Sequence, residues 1–189
     1  MTTKRVRWGI ISTAGISESL IPGLLAAPSA ELVGVASRSK EKAAKAAQRW
    51  GCAPFVSYEA LLEDPSIDAV YNPLPNNLHA EWTIKALEAG KNVLCEKPLA
   101  LSVEEVSSIA DAASRTGRLV LEAFMYRHSS RWQRAVKLVR EGAVGDPRLV
   151  DIVFAFAVPT EPPNIRFMPE AGGGIIWDMG CYAANMARG

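Results

Sequence analysis

The chain has 189 residues, of which 49% are hydrophobic and 22% charged, and its formal net charge is +1. Such a composition predicts a globular protein with one complete core and the beginning of a second. A charge so close to zero argues against binding to nucleic acid or to an anionic membrane. The sequence shows no signal-peptide-like segment and no apolar run of transmembrane length, so we expect a cytoplasmic location.

The cysteine and histidine content does not indicate a metal site. Cys52, Cys95 and Cys181 are odd in number and form no CxxC pair, which favours buried thiols over disulfides or zinc ligands. His79 and His128 do not stand at ligand spacing from another histidine or cysteine. We therefore expect no bound metal.

Strand and helix signals alternate up to residue 124. Short apolar runs bounded by turn residues predict buried strands at residues 6–11, 32–36, 69–71, 92–95 and 119–123. Helical patterns between them lie at residues 16–27, 40–50, 58–62, 79–89 and 103–115. This alternation predicts an α/β fold, a Rossmann-type doubly wound parallel sheet with helices on both faces. Residues 1–124 are therefore assigned to a dinucleotide-binding domain.

The pattern changes after Tyr126. A basic helix is predicted at residues 129–140, a strand at 149–158, a proline-rich loop at 159–174 and a helix from 177 or 178 to 188. The single strand has no predicted partner, and an unpaired strand leaves its backbone groups unsatisfied. Residues 125–189 are therefore predicted to begin a second domain, which either continues past Gly189 or pairs with another chain.

The turn after the first strand, residues 12–17 (STAGIS), occupies the position of the G-x-G-x-x-G dinucleotide fingerprint. Serine, alanine and serine replace the three glycines. A strand-to-helix turn nevertheless offers backbone N–H groups and a positive dipole end to a pyrophosphate. Ser12, Thr13, Ala14 and Ile16 are thus candidate cofactor contacts. From the turn alone, an ordinary βα connection is an equal alternative.

The second strand ends at Ser37-Arg38-Ser39, where NAD-selective domains usually carry an acidic residue for the ribose 2′-hydroxyl. A guanidinium suits a 2′-phosphate instead, and the serine hydroxyls can donate to the same oxygens. The alternative, a solvated arginine at a helix start, places a cation against the helix dipole. Ser37 and Arg38 are therefore candidate cofactor contacts that favour NADP over NAD.

A loop rich in proline and asparagine, residues 72–79 (NPLPNNLH), follows the strand at 69–71. In an open parallel sheet, the loops at the carboxyl ends of the strands line the ligand crevice. Asn72, Pro73, Leu74 and His79 are therefore candidate contacts of the ribose or nicotinamide. Turn chemistry alone is the alternative explanation for most of these residues.

Glu96-Lys97-Pro98 follows the strand at 92–95 and is predicted to lie at the same edge. The alternative is a surface ion pair of little energetic worth, but neighbouring side chains point apart, and the proline restricts the backbone of Lys97. A lysine at the mouth of such a sheet is a candidate acid/base group. We expect Glu96 and Lys97 to contact the cofactor, and Lys97 also to act in catalysis.

A glycine-rich segment at residues 172–174 leads into a predicted helix that carries Asp178 and Tyr182 at positions i and i+4. On one α-helical face, a carboxylate and a phenol could flank a substrate hydroxyl. The alternative is an acidic residue favoured by the helix dipole and a half-buried tyrosine.

In combination, these motifs resemble the Gfo/Idh/MocA family (glucose-fructose oxidoreductase, inositol dehydrogenase, MocA), and in particular its NADP-dependent xylose and dimeric dihydrodiol dehydrogenases. Six segments carry the resemblance over essentially the whole chain: WGIISTA at 8–14, ASR at 36–38, NP at 72–73, EKP at 96–98, EAFMYR at 122–127 and GGGIIWDMGCY at 172–182. Many members of the family have histidine at the position of Tyr182.

The resemblance implies that Lys97 and Tyr182 form a catalytic pair and that Asp178 assists at the substrate. It also implies that the second domain is an α+β domain with a large antiparallel sheet, used for substrate contact and for pairing subunits into a homo-oligomer. The substrate would be a small-molecule sugar or polyol.

The leading hypothesis is an NADP-dependent oxidoreductase that transfers hydride between nicotinamide and a hydroxyl-bearing carbon of a sugar, polyol or dihydrodiol. One alternative is a non-catalytic NADP-binding regulator of the same fold. Another is a nucleic-acid binder that uses a cationic stripe on the helix at 129–140, although the stripe lacks interleaved aromatic residues. The stripe consists of Arg131, Arg134, Lys137 and Arg140.

Overall fold

The computed structural model describes residues 4–159, 161 and 164–188. The chain divides into two compact units, one that ends at Glu122 and one that begins at Ala123, and each unit is described by itself. The domain ranges expected from the sequence, 1–124 and 125–189, stay predictions.

The first unit alternates strands and helices along the chain. Its strands are β1 (Val6–Ile11), β2 (Ala30–Ala36), β3 (Ala53–Phe55), β4 (Ala69–Asn72), β5 (Asn92–Cys95) and β6 (Val120–Glu122). Its helices are α1 (Ser17–Ala26), α2 (Lys40–Trp50), α3 (Tyr58–Glu63), α4 (His79–Glu88) and α5 (Val103–Thr116). The strands form one sheet in the order β3-β2-β1-β4-β5-β6, and every neighbouring pair is parallel. This order confirms the predicted Rossmann-type doubly wound sheet.

The central strands are buried on both faces: successive strand residues point to opposite sides of the sheet, and helices cover each side. Ile10 and Tyr71 face α1 and α2 in one hydrophobic cluster. Their neighbours Ile11 and Val70 face α3, α4 and α5 in the other. Burial on both faces explains why the strands read as continuous apolar runs in the sequence.

The helix ends follow local signals in the sequence. Ser39, Ser57 and Ser102 cap α2, α3 and α5, each by accepting a hydrogen bond from the backbone N–H three residues further on. Gly51 and Gly117 end α2 and α5 in the left-handed region, with φ values of 68° and 64°. These caps fix where each chain segment turns back toward the sheet.

A bidentate ion pair joins the start of β1 to the residue before β4. Arg7 donates from Nε to Asp68 Oδ2 at 2.9 Å and from Nη2 to Asp68 Oδ1 at 2.8 Å. The guanidinium holds the pKa of the Asp68 carboxyl below its usual range, mainly through this hydrogen bond. A carboxyl with a depressed folded-state pKa contributes stability above its unfolded pKa, and that contribution is lost as the pH falls toward the folded pKa.

Replacing Asp68 with Asn should therefore lower the free energy of unfolding by about 1 kcal/mol at pH 7, since the pair is partly exposed to solvent. At pH 3 the difference from the parent should shrink, because the Asp68 carboxyl of the unfolded parent is then protonated. Urea unfolding at the two pH values measures both quantities. An equal loss at pH 7 and pH 3 would contradict a charge-based role for Asp68.

Among its described residues, the second unit contains two helices and several short turns. The helices are α6 (Ser130–Arg140) and α7 (Cys181–Arg188). The turns are 3₁₀ turns at Met125–His128, Ile165–Phe167 and Pro169–Ala171, and a π-helical turn at Ile176–Gly180 that leads into α7. Two of the 3₁₀ turns lie inside the segment 159–174 that was predicted to be a loop.

The strand predicted at residues 149–158 is wrong. In the structure, residues 147–159 have no regular secondary structure, and Leu149 and Val153 are 85% and 80% exposed. An apolar sequence gives a segment the tendency to be a strand, but a ladder also needs a neighbouring strand. Among the described residues of this unit there is no strand to pair with it.

The described ranges contain no helix that is both long and apolar enough to cross a bilayer. Within the same ranges, no three His, Cys, Asp or Glu side chains are grouped so that they could hold a metal ion.

Burial raises the pKa of the Cys95 thiol to about 12 and that of the Cys52 thiol to about 11. Burial therefore favours the neutral thiol in both cysteines, in Cys95 within the core and in the partly buried Cys52.

Candidate functional site

The turn between β1 and α1 leaves a set of backbone N–H groups without partners. Ser12 has a φ of 108°, a value that residues with a side chain rarely adopt, and its N–H donates to Ala36 O at 3.0 Å. The first turn of α1 begins with the bond from Ser17 N to Ala14 O. In the described part of the chain, the N–H groups of residues 13–16 have no hydrogen-bond partner. Four free donors at the positive end of a helix are suited to a pyrophosphate.

The end of β2 presents one cation and two hydroxyls. Arg38 is exposed, whereas Ser37 is only 6% exposed. Ser37 Oγ accepts from Ser39 N at 3.2 Å, and Ser39 Oγ accepts from Lys42 N at 3.3 Å. Each hydroxyl accepts in these bonds, so its own hydrogen stays available for donation. The group can therefore donate to a phosphate from both hydroxyls and from the guanidinium.

Asn72, the last residue of β4, and His79, the first residue of α4, have buried side chains. Asn72 is fully buried; its Nδ2 contacts His79 O and Thr83 Oγ1 at 3.2 Å, and its Oδ1 accepts from Leu74 N at 3.3 Å. The His79 ring lies 2.7 Å from Pro98 O through Nδ1 and 2.7 Å from Leu74 O through Nε2. Burial lowers the pKa of His79 against the opposing effect of these carbonyls. A direct cofactor contact from these two side chains stays a prediction. In the structure they contact the backbone of Leu74 and so support the loop 73–75.

Glu96 and Lys97 lie just beyond the end of β5, and both are half-buried. Glu96 N donates to Asn72 O at 3.0 Å, which extends the pairing of β4 and β5 by one residue. The carboxylate of Glu96 accepts from the hydroxyl of Tyr71 at 2.7 Å through Oε1 and from Lys97 N at 3.3 Å through Oε2. The Lys97–Pro98 peptide bond is cis. Glu96 is thus held in one orientation by donors on both of its oxygens.

The backbone that follows Lys97 is anchored on both sides of the loop. The carbonyl of Pro98 contacts the ring of His79, as described above, and Leu99 N donates to Glu122 Oε1 at 2.8 Å. Because β2, β1, β4 and β5 are neighbours in the sheet, the loops after these strands form one edge. The residues predicted at the four loops of the first unit are therefore brought to one carboxyl edge of the sheet.

In the second unit, Asp178 is only 8% exposed and is paired with an arginine. Arg166 donates from Nε to Asp178 Oδ2 at 2.7 Å. The turn that carries Arg166 packs on Gly173, where an added Cβ would lie 2.6 to 2.9 Å from three backbone carbonyl oxygens of residues 165–168. Gly174 N also donates to Arg166 O at 2.8 Å. Glycine at position 173 is thus needed for the close approach that brings Arg166 onto Asp178.

Tyr182 is half-buried in an aromatic cluster of the second unit. Its ring centroid lies 5.4 Å from that of Phe124 and 6.0 Å from those of Tyr126 and Phe154. Tyr126 in turn donates a short hydrogen bond to Asn185 Oδ1. Edge and tilted contacts of this kind fix the plane of the phenol ring. Asp178 lies in the π-helical turn and Tyr182 in α7, so the single α-helical face predicted for the pair is not what the structure shows.

The sequence patterns did not identify three residues that hold predicted site residues in place. Tyr71 and Glu122 lie at strand ends beside Glu96 and Leu99, and strand alternation could have indicated the side on which Tyr71 lies. Arg166 gives no local signal, because its partner lies 12 residues further along the chain.

Comparison with known proteins supports the motif-based resemblance. Residues 6–124 match the profile of an oxidoreductase family with an NAD-binding Rossmann fold, GFO_IDH_MocA. Residues 132–189 match the profile of the GFO/IDH/MocA C-terminal domain.

Individual relatives match over almost the whole chain. The chain is 46% identical to the uncharacterized oxidoreductase ORF334 of Rhizobium meliloti, over 97% of this chain and 55% of that protein. It is 42% identical to D-xylose 1-dehydrogenase (NADP(+)) 2 of Haloferax volcanii, over 96% of this chain and 56% of that protein. The chain therefore spans about half the length of these curated relatives.

A solved structure agrees with the fold. KijD10, a 3-ketoreductase from Actinomadura kijaniata in complex with NADP and TDP-benzene, is 34% identical and gives a TM-score of 0.85 over 98% of this chain and 58% of that chain. Both profile matches and these relatives lead to one conclusion: the chain belongs to the Gfo/Idh/MocA oxidoreductase family.

Proposed function

We propose that this chain carries the nucleotide-binding domain, and catalytic residues of the following domain, of an NADP-dependent oxidoreductase that transfers hydride between nicotinamide and a hydroxyl-bearing carbon of a sugar, polyol or dihydrodiol. The observation that carries the proposal is the carboxyl edge of the sheet, where free N–H groups, a guanidinium and the pair Glu96 and Lys97 follow neighbouring strands. A xylose dehydrogenase and a 3-ketoreductase in complex with NADP among the relatives support it. The protein would work in the cytoplasm as a homo-oligomer.

The cofactor contacts follow from the loops. The N–H groups at residues 13–16, with Ser12 shaping the turn, would hold the pyrophosphate. Arg38 and Ser37 would donate to the 2′-phosphate. The loop at 72–79 and the residues Glu96 and Lys97 would bind the nicotinamide nucleoside. The residues in that loop that were predicted to contribute are Asn72, Pro73, Leu74 and His79.

The catalytic roles follow from the chemistry of three side chains. When bound, the nicotinamide accepts a hydride from the substrate carbon or supplies one to it. Tyr182 would take the proton of the reacting hydroxyl in oxidation and return it in reduction. The ammonium of Lys97 would stabilise the phenolate form of Tyr182, and Asp178, held by Arg166, would accept a hydrogen bond from the substrate and so orient it.

Replacing Arg38 with Ser should weaken NADP binding by about 10- to 100-fold, because hydrogen bonds to a charged phosphate are lost. The affinity for NAD should change less than threefold, since NAD lacks the 2′-phosphate. Titration of both nucleotides by protein fluorescence measures the two constants. The matched control is Arg49→Ser, which removes an exposed arginine of the same unit that pairs with Glu18. Equal effects on NADP and NAD would contradict the predicted role of Arg38.

The test of the proposed function is turnover by the intact protein. NADP reduction is followed with aldoses, inositols and dihydrodiols, and NADPH oxidation with the corresponding carbonyl compounds, with NAD as the comparison cofactor. Turnover with NADP on at least one class supports an enzyme. Tight NADP binding without turnover on any class would instead support the non-catalytic regulator of the same fold.

A further inference from the structure

The hydroxyl of Tyr71 is a buried polar group at the mouth of the sheet. Tyr71 is 1% exposed and belongs to the hydrophobic cluster under α1 and α2, where its ring packs with apolar side chains such as Ile10 and Val35. A phenylalanine would fill that space equally well. The hydroxyl donates to Glu96 Oε1 at 2.7 Å, so it connects the interior of the sheet to an acidic side chain at its edge.

The hydrogen bond from Tyr71 to Glu96 belongs to a strong class. A hydrogen bond from a neutral hydroxyl to a carboxylate is shorter and stronger than one between neutral groups, and it strengthens further in surroundings of low dielectric. The second oxygen of Glu96 accepts from Lys97 N at 3.3 Å. Each carboxylate oxygen can accept a further hydrogen bond, so Glu96 is oriented and still able to bind hydroxyl or amide donors.

We propose that Tyr71 is a positioning residue for the nicotinamide nucleotide: it holds the carboxylate of Glu96 so that Glu96 can accept hydrogen bonds from hydroxyl or amide groups of the bound nucleoside. The inference rests on the cofactor part of the proposed function and does not depend on turnover. It assigns a function to a strand residue that would otherwise be counted only as core. The adjacent residue, Asn72, points to the opposite face of the sheet and acts on the loop instead.

The test is the affinity of the intact protein for NADPH after Tyr71→Phe. We expect the dissociation constant to rise about tenfold. This is the effect of losing one hydrogen bond between the bound nucleoside and the charged side chain of Glu96. The matched control is Tyr58→Phe, a second buried phenol of the same unit, which packs edge-on against Trp82 on the other face of the sheet. The control should leave the NADPH dissociation constant unchanged, and thermal unfolding of both variants reports whether they fold.

A double-mutant cycle separates positioning from a general effect on structure. Glu96→Ala alone should weaken NADPH binding, and adding Tyr71→Phe to it should cause no further loss, because the group that Tyr71 positions is already gone. Glu96→Asp provides a second route if Tyr71→Phe does not fold: it keeps the charge but withdraws the carboxylate from the phenol, and it should show the same tenfold loss.

Three results would overturn the inference: an unchanged NADPH constant in Tyr71→Phe, losses that add in the double variant, or an unchanged constant in Glu96→Asp. A parent protein that binds neither NADPH nor NADH would also overturn it, together with the cofactor assignment. A parent that binds NADPH but turns over no substrate would remove the proposed enzymatic function and leave the role of Tyr71 intact.

Discussion

Replacing Tyr182 with Phe is expected to lower kcat by about 10²- to 10⁴-fold, the usual contribution of a general acid or base. The change removes one hydroxyl and keeps the ring. The aromatic contacts of Tyr182 with Phe124, Tyr126 and Phe154 are ring contacts, so they should persist in the variant. The loss should therefore appear in kcat, with NADP affinity and thermal stability close to those of the parent.

The same cluster offers a matched control for Tyr182. Tyr126→Phe also removes one hydroxyl, but that hydroxyl is engaged with Asn185 and has no assigned part in proton transfer. This variant should lose some thermal stability and less than about tenfold in kcat. Steady-state turnover of the parent and both variants, with saturating NADP, decides the matter. A kcat for Tyr182→Phe within a few-fold of the parent would remove Tyr182 from the mechanism.

The sheet could be predicted well where strands are buried on both faces. The bounds of β1 and β5 coincide with the apolar runs, because turn residues flank those runs closely. The edge strand β3 was missed because it has three residues, contains Pro54 and is largely exposed. In the structure its presence is reflected on the neighbouring strand β2, where Gly34 has no room for a Cβ beside the ring of Phe55.

The position of the candidate site could be predicted, but the direction of its side chains could not. Strand ends identify the edge of the sheet, because all the strands are parallel. Whether a residue at such an end points outward depends on long-range partners: His79 contacts Pro98 O, 19 residues away, and Tyr71 contacts Glu96, 25 residues away. The sequence spacing also failed for Asp178 and Tyr182, because the π-helical turn does not have the 3.6-residue repeat on which that spacing relies.

Lys97→Ala is expected to lower kcat by about 10²- to 10⁴-fold without a matching loss of thermal stability. Its ammonium is the charge proposed to stabilise the phenolate of Tyr182. The backbone around Lys97 has anchors that this substitution leaves intact, since Pro98 O contacts His79 and Leu99 N donates to Glu122. The local fold should therefore survive the substitution.

Lys91→Ala is the matched control, because Lys91 and Lys97 stand at opposite ends of β5. Lys91 is 6% exposed, and its Nζ donates to Asp64 O at 2.6 Å and to Ile67 O at 2.9 Å. Removing it takes a donor away from the buried Ile67 O, while Asp64 O keeps its bond from Ile67 N, so this variant should lose thermal stability and keep its turnover per folded molecule. Melting temperature and kcat are measured on both variants. Lys97→Ala should lower kcat and leave the melting temperature nearly unchanged, whereas Lys91→Ala should lower the melting temperature and leave kcat nearly unchanged. If both lysine variants lost stability alone, Lys97 would be a structural residue and the proposed chemistry would need another cation.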